Sequence, residues 1–148
     1  MTNHVVEESI RIERPIASVF DAWSTGPALA DWFAPMAVRP PTVEMLFEVG
    51  GSYRIEMDVG AGGVHVTEGE FLDIVRNESI RMTWRCDAWA DPPSEVEVTF
   101  TLEDDSTAVR VRHTRITSVP ACEGQRFGWQ ACLTQLRLTL LDQPRGGD

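Results

Sequence analysis

The sequence predicts an α+β domain: a curved antiparallel sheet of about seven strands wrapped on one long C-terminal helix, with two short helices after the first strand. Three observations carry this reading. The hydrophobic period changes from about 3.6 to 2 after Arg39-Pro40-Pro41. Two late strands fix each other's register about an Asp104-Asp105 turn. An apolar stripe of Trp129, Cys132, Leu133, Leu136 and Leu140 follows Pro120 at helical spacing.

Taken in order, Val5 to Glu13 alternates weakly, with Val6, Ile10 and Ile12 as apolar points, and reads as the first strand. Pro15 suits a first helical turn. Val19, Phe20 and Trp23 then form an apolar face that ends before Gly26-Pro27. A second short helix, Ala28 to Phe33, stops at Pro35. Val43 to Val49 is a candidate strand, broken by Gly50-Gly51. In Ser52 to Val59, Tyr53, Ile55, Met57 and Val59 share one face and Arg54, Glu56 and Asp58 the other. Gly60 to Gly63 turns into Val64 to Val75, and Asn77-Glu78 turns into the strand holding Ile80, Met82, Trp84 and Cys86. Asp91-Pro92-Pro93 is a loop. If Asp104-Asp105 centres the last hairpin, Val98 faces Val111, Phe100 faces Val109 and Val96 faces His113. On the other face Glu97 then meets Arg112. Apolar and charged sets agree in one register, as a one-sided antiparallel sheet requires.

A chain of 148 residues fits one domain, expected over 1–142, with a flexible tail over 143–148. Met1 to Ile10 carries Glu7 and Glu8 and no apolar run, and no stretch reaches the roughly 18 apolar residues of a spanning helix. A cytoplasmic protein without membrane contact is the expectation. The net charge of −10 argues against a nucleic-acid partner. No lysine occurs, which rules out Schiff-base and P-loop lysine chemistry. Ten residues of helix place Cys122 and Cys132 about 15 Å apart. That exceeds the roughly 7 Å between the α-carbons of a disulfide, so free thiols are expected. His4, His65 and His113 sit on separate elements without metal-ligand spacing, so no metal and no cofactor is expected. Glu68 and Glu70 share a strand face and read as solvated. Arg110, Arg112 and Arg115 read as a paired, solvated face.

The matching segments Pro15-Ile-Ala-Ser-Val-Phe-Asp-Ala-Trp23 with Trp32-Phe33, Gly50-Gly-Ser-Tyr-Arg54, Gly69-Glu-Phe-Leu72 to Thr83-Trp84, Thr107 to His113 and Gly128-Trp129…Leu133…Leu136 span almost the whole chain. In this order they resemble the helix-grip fold of the START/Bet v 1-like (SRPBCC) superfamily, in the branch of homologues of the activator of the heat-shock-protein-90 ATPase. The chain departs from the branch pattern at Arg115 to Pro120, where a glycine commonly follows the histidine.

The resemblance implies a sheet that curves away from its helix and leaves a cavity for a small hydrophobic molecule. Such residues also fill ordinary cores. Candidate walls are Trp23, Trp32, Tyr53, Met57, Phe71, Met82, Trp84, Phe100, His113, Trp129, Cys132 and Leu133, with Phe33, Met36 and Phe127 in the same aromatic and sulfur-bearing set. His113 shares the inner parity, and His65 joins it unless a bulge at Gly69 resets the phase. A histidine bonded to a backbone carbonyl or hydroxyl is expected at such sites, and no catalytic pair is evident. In an enzyme built on this cavity, His113 or His65 would be the proton handler. Three functions stay open: a carrier of a lipid, aromatic or polyketide-like molecule; a cyclase or hydrolase acting on one; and a chaperone-interacting protein without a ligand. Homodimerisation stays open too.

Overall fold

The computed structural model describes residues 3–88 and 92–143. Of the expected tail only Gln143 falls among them, and Asp91 of the expected loop lies outside them. Seven strands form one antiparallel sheet: β1 (His4–Ile12), β2 (Thr42–Met45), β3 (Ser52–Asp58), β4 (Val64–Val75), β5 (Ser79–Cys86), β6 (Ser94–Glu103) and β7 (Ser106–Ile116). Their spatial order is β1-β7-β6-β5-β4-β3-β2. Helices α1 (Ile16–Asp21) and α2 (Gly26–Ala30) follow β1, and α3 (Val119–Asp142) closes the chain. No helix among the described residues is long and apolar enough to cross a membrane.

The Asp104-Asp105 hairpin has the expected register: Val96 opposes His113, Val98 opposes Val111 and Phe100 opposes Val109. Arg112 lies opposite Glu97 on one side and Glu7 of β1 on the other. Its guanidinium pairs with Glu7 (3.1 Å), which also takes Arg110 (2.6 Å). Both arginines hold the Glu7 carboxyl below the usual carboxylate range, Arg110 foremost.

Three local expectations need correcting. The second short helix, expected over Ala28 to Phe33, runs instead from Gly26 to Ala30, because Thr25 Oγ1 caps it by accepting from Ala28 N–H (3.2 Å) and proline suits the first turn. The strand expected to reach Val49 stops at Met45, and Leu46 and Val49 are exposed. The bulge expected at Gly69 falls between Phe71 and Asp73. His65, Thr67, Gly69 and Phe71 therefore keep one face, opposite Met57, Ile55 and Tyr53 of β3. Gly69 has a different task. The Tyr53 hydroxyl donates to the Thr83 carbonyl (2.5 Å), and a Cβ on Gly69 would stand 2.7 Å from that hydroxyl and 2.0 Å from the carbonyl oxygen. Glu70 N–H is satisfied instead by Thr83 Oγ1 (2.9 Å).

Helix α3 starts where Ser118 Oγ accepts from Ala121 N–H (3.3 Å). It buries Trp129, Cys132, Leu133, Leu136 and Leu140, the expected stripe, together with Ala121 and Cys122. Arg137 turns outward to Glu13 (3.1 Å).

Candidate functional site

The space between sheet and helix is largely filled by rings. Trp129 lies 5.0 Å from Trp84 and 6.2 Å from Trp23, Trp84 lies 6.1 Å from Tyr53, and Tyr53 lies 5.4 Å from Phe71, all between centroids. The small void they leave, bordered also by Phe33, Met45 and Met82, is about 20 Å³. In place of a wide internal chamber there is an aromatic core with room for roughly one water.

An open pocket of about 190 Å³ adjoins this core, between the inner face of β3–β5 and the first half of α3. Its walls are Phe33, Ala34, Met57, Val59, Thr67, Trp84, Cys86, Ala88, Trp129 and Cys132, with Met36 and Phe127 at 44% and 66% exposure. Gly124 and Gly128, one helical turn apart, present bare backbone to it. A Cβ on Gly128 would meet no atom within 4 Å, so the pocket owes part of its volume to that missing side chain. Among the described residues no arginine, aspartate or glutamate lines it. Burial pushes the Cys132 thiol up to about 12, which makes it inert.

His65 joins Thr67 and Gln125 as a polar group of this wall. Its Nδ1 lies 3.2 Å from Asp87 Oδ1, which also accepts from Val66 N–H (2.9 Å). A carboxylate only accepts, so Nδ1 carries a proton, and Nε2 is an acceptor whenever the ring is neutral. His65 can therefore take a hydrogen bond from a ligand hydroxyl.

His113 is differently placed. It is fully buried, its Nδ1 accepts from Trp129 Nε1–H (3.1 Å) and its Nε2 lies 2.6 Å from Ser94 Oγ. The indole fixes the tautomer, so Nε2–H donates to Ser94, whose hydroxyl donates to the Trp84 carbonyl (3.1 Å). Burial pushes the ring down to about 3. With both nitrogens engaged, this histidine ties α3 to the sheet and offers no lone pair to a substrate.

Among the other expected walls, Met57, Trp84, Trp129 and Cys132 meet at the open pocket, while Trp23, Tyr53, Phe71 and Met82 border the small void and not the open pocket. Trp32, Phe100 and Leu133 pack in the core and border neither; the Trp32 indole donates to the Ala22 carbonyl (2.9 Å). Pocket residues absent from the expected walls are Ala34, Val59, Thr67, Cys86, Ala88, Gly124, Gln125 and Gly128. Strand parity was the signal for Val59, and the Gly124-x-x-x-Gly128 spacing the signal for the two glycines. A larger open groove, about 670 Å³, crosses the outside of β2–β4, where Arg54 pairs with Glu56 (3.0 Å) and Glu68 (3.6 Å). Its exposed charges suit no apolar ligand.

A helix-grip sheet closed by one long helix, with an apolar pocket at their junction, defines the class. The chain belongs to the family of activator of Hsp90 ATPase homolog 1-like proteins, whose model matches residues 13–140, and so to the SRPBCC superfamily. No curated protein resembles it in sequence at a significant level. Among solved structures, a protein from Chromobacterium violaceum is 25% identical with a TM-score of 0.80, over 95% of this chain and 98% of that one. DynU16, described as a putative protein in the dynemicin biosynthetic locus, is 18% identical with a TM-score of 0.76, over 93% of this chain and 47% of that one. An HSP90 activator from Plasmodium falciparum is 22% identical with a TM-score of 0.70, over 92% and 95%. The last two share the fold.

Proposed function

We propose that this protein binds a small apolar molecule in the pocket between the inner face of β3–β5 and the first half of α3. The observation that carries this is a helix face where Gly124 and Gly128 border the pocket and a Cβ on Gly128 would meet no atom within 4 Å, opposite apolar walls. Glycine costs about 0.5–1 kcal/mol in a helix interior, and two of them a turn apart make sense where space is needed. At about 190 Å³ the pocket is smaller than the roughly 300–1,000 Å³ of drug-sized sites. The ligand is accordingly compact, on the scale of one or two fused rings. Met57, Trp84, Trp129 and Cys132 form its walls, Met36 and Phe127 its rim, and His65 its polar contact. Family membership supports this reading. The HSP90 activator among the structural neighbours shares the fold at 22% identity, which assigns no partner here.

The test fills the pocket without disturbing the core. Gly128→Leu places a side chain where a Cβ meets nothing within 4 Å, so the fold should survive. Wild-type protein titrated with 2-isopropylnaphthalene should show saturable change in tryptophan emission at micromolar ligand, and the variant should lose it by tenfold or more. Equal binding by both proteins would place the site elsewhere, and binding by neither would end the reading.

A further inference from the structure

His65 differs from the other polar groups of the pocket in what it can offer a ligand. The Thr67 hydroxyl and the Gln125 amide each donate or accept, so neither tells a ligand donor from a ligand acceptor. His65 is held in one state. Asp87 is laced to Val66 of β4: its backbone N–H donates to the Val66 carbonyl (3.0 Å), and its Oδ1 accepts from Val66 N–H (2.9 Å). The same Oδ1 lies 3.2 Å from His65 Nδ1, so a carboxylate anchored on the backbone fixes which ring nitrogen carries the proton. His65 borders the pocket, opposite Met57 of β3, whereas Asp87 does not. The Nδ1 edge of the ring is therefore turned aside, and the far edge is left to the pocket. A Cβ on Gly62 would stand 4.0 Å from Nε2 and 2.9 Å from Cγ2 of Val59, a pocket wall, so glycine keeps a space clear beside Nε2. The imidazole is 33% exposed, and no described residue makes a hydrogen bond to Nε2.

We propose that the His65–Asp87 pair makes the pocket selective for compact aromatic compounds that carry a hydroxyl group. This rests on the pocket reading above. With the proton held on Nδ1, Nε2 of the neutral ring has a lone pair and no hydrogen, so it meets a ligand donor and repels a ligand acceptor. The Asp87 charge behind Nδ1–H raises the basicity of Nε2, as a carboxylate does behind a metal-bound histidine. A phenolic O–H is the matching donor, because it is neutral and brings no charge to desolvate among apolar walls. An ionised aromatic carboxylate has no proton to give. It would also add a second negative charge near Asp87, in a protein of net charge −10. A ketone or ether presents lone pairs to a lone pair. Without Asp87 the imidazole is free to carry its proton on Nε2, and the preference inverts.

Three ligands test this at about pH 8, above the usual histidine range: 2-naphthol, which donates; 2-acetylnaphthalene, which only accepts; and 2-isopropylnaphthalene, which does neither. Comparing each ligand between wild type and variant cancels its own hydrophobicity. In His65→Leu, 2-naphthol should bind about tenfold more weakly while the other two stay within about twofold. In Asp87→Ala, 2-naphthol should weaken and 2-acetylnaphthalene tighten. The nitrogen spectrum of histidine-labelled protein, with three histidines to assign, supplies a readout that packing alone does not move. In wild type the His65 proton should sit on Nδ1, and the bare Nε2 signal should shift upfield with 2-naphthol and stay fixed with the hydrocarbon. If His65→Leu fails to fold, the wild-type spectrum and Asp87→Ala decide. Binding of all three ligands with no selective loss of 2-naphthol in the variants and no movement of the His65 signals would overturn the selectivity while the pocket stands. A proton found on Nε2 in wild type would overturn it as well. Binding of none of the three overturns the selectivity and the pocket together.

Discussion

His113 shows how burial turns a candidate base into a fastener. The unfolded chain protonates a histidine near 6.5, whereas the folded protein does not protonate His113 until about 3. Below 6.5 the unfolded state therefore binds the extra proton, so stability from this group is complete above about pH 6.5 and falls through the window from 6.5 to 3. The slope approaches about 1.4 kcal/mol per pH unit. His113→Gln keeps a donor for Ser94 and an acceptor for Trp129 but cannot titrate. Urea unfolding between pH 5 and 6.5, above the ordinary carboxylate range, should show the slope in wild type and a flatter one in the variant; equal slopes would contradict the assignment. Arg115 is the second informative residue. It has φ 62°, and β1 advances from His4 to Val6 while β7 advances from Ile116 to His113, so Arg115 sits in a bulge. That is why a glycine suits this place. The left-handed conformation costs a non-glycine residue about 1–2 kcal/mol, and glycine adds about 0.5–1 kcal/mol of entropy cost in the unfolded comparison. Arg115→Gly should therefore raise the stability by about 0.5–1 kcal/mol, read from the urea midpoint at constant slope.

At the scale of elements, the sheet was legible because a period of 2 is hard to counterfeit and opposed residues must agree in chemistry. Val98 with Val111 and Phe100 with Val109 fixed one register unaided. Short helices were less legible, since α2 starts on Thr25-Gly26-Pro27, a string that reads as an interruption until the threonine is seen to cap it. The Gly69 position misled for a related reason. Its glycine marks a close approach and not a bulge, and the approaching group, Tyr53, lies a full strand away. Gly69→Ala should accordingly cost about 1–3 kcal/mol or more, as over-packing does. Gly128→Ala, in an open stretch of α3, should stabilise by about 0.5–1 kcal/mol. Opposite signs for the same chemical change on two glycines would be read directly from thermal midpoints.

For the whole molecule, the order of segments carried the fold, while the site was only partly legible. Sequence parity places a side chain on the inner face but does not say whether its neighbours fill the space beyond it. Trp23, Tyr53, Phe71 and Met82 have the right parity, yet their rings and chains meet in a core with a void of about 20 Å³. The pocket opens further along, where glycines replace side chains on α3, and a missing side chain leaves no hydrophobic signal to count. The methionines distinguish the two spaces: Met36 and Met57 line the open pocket, Met45 and Met82 the void. A methyl-carbon spectrum of methionine-labelled protein, titrated with 2-acetylnaphthalene, therefore tests the central claim most directly. The Met36 and Met57 methyl signals should move together and saturate at micromolar ligand; if those two stay fixed while the ligand binds, it binds somewhere else.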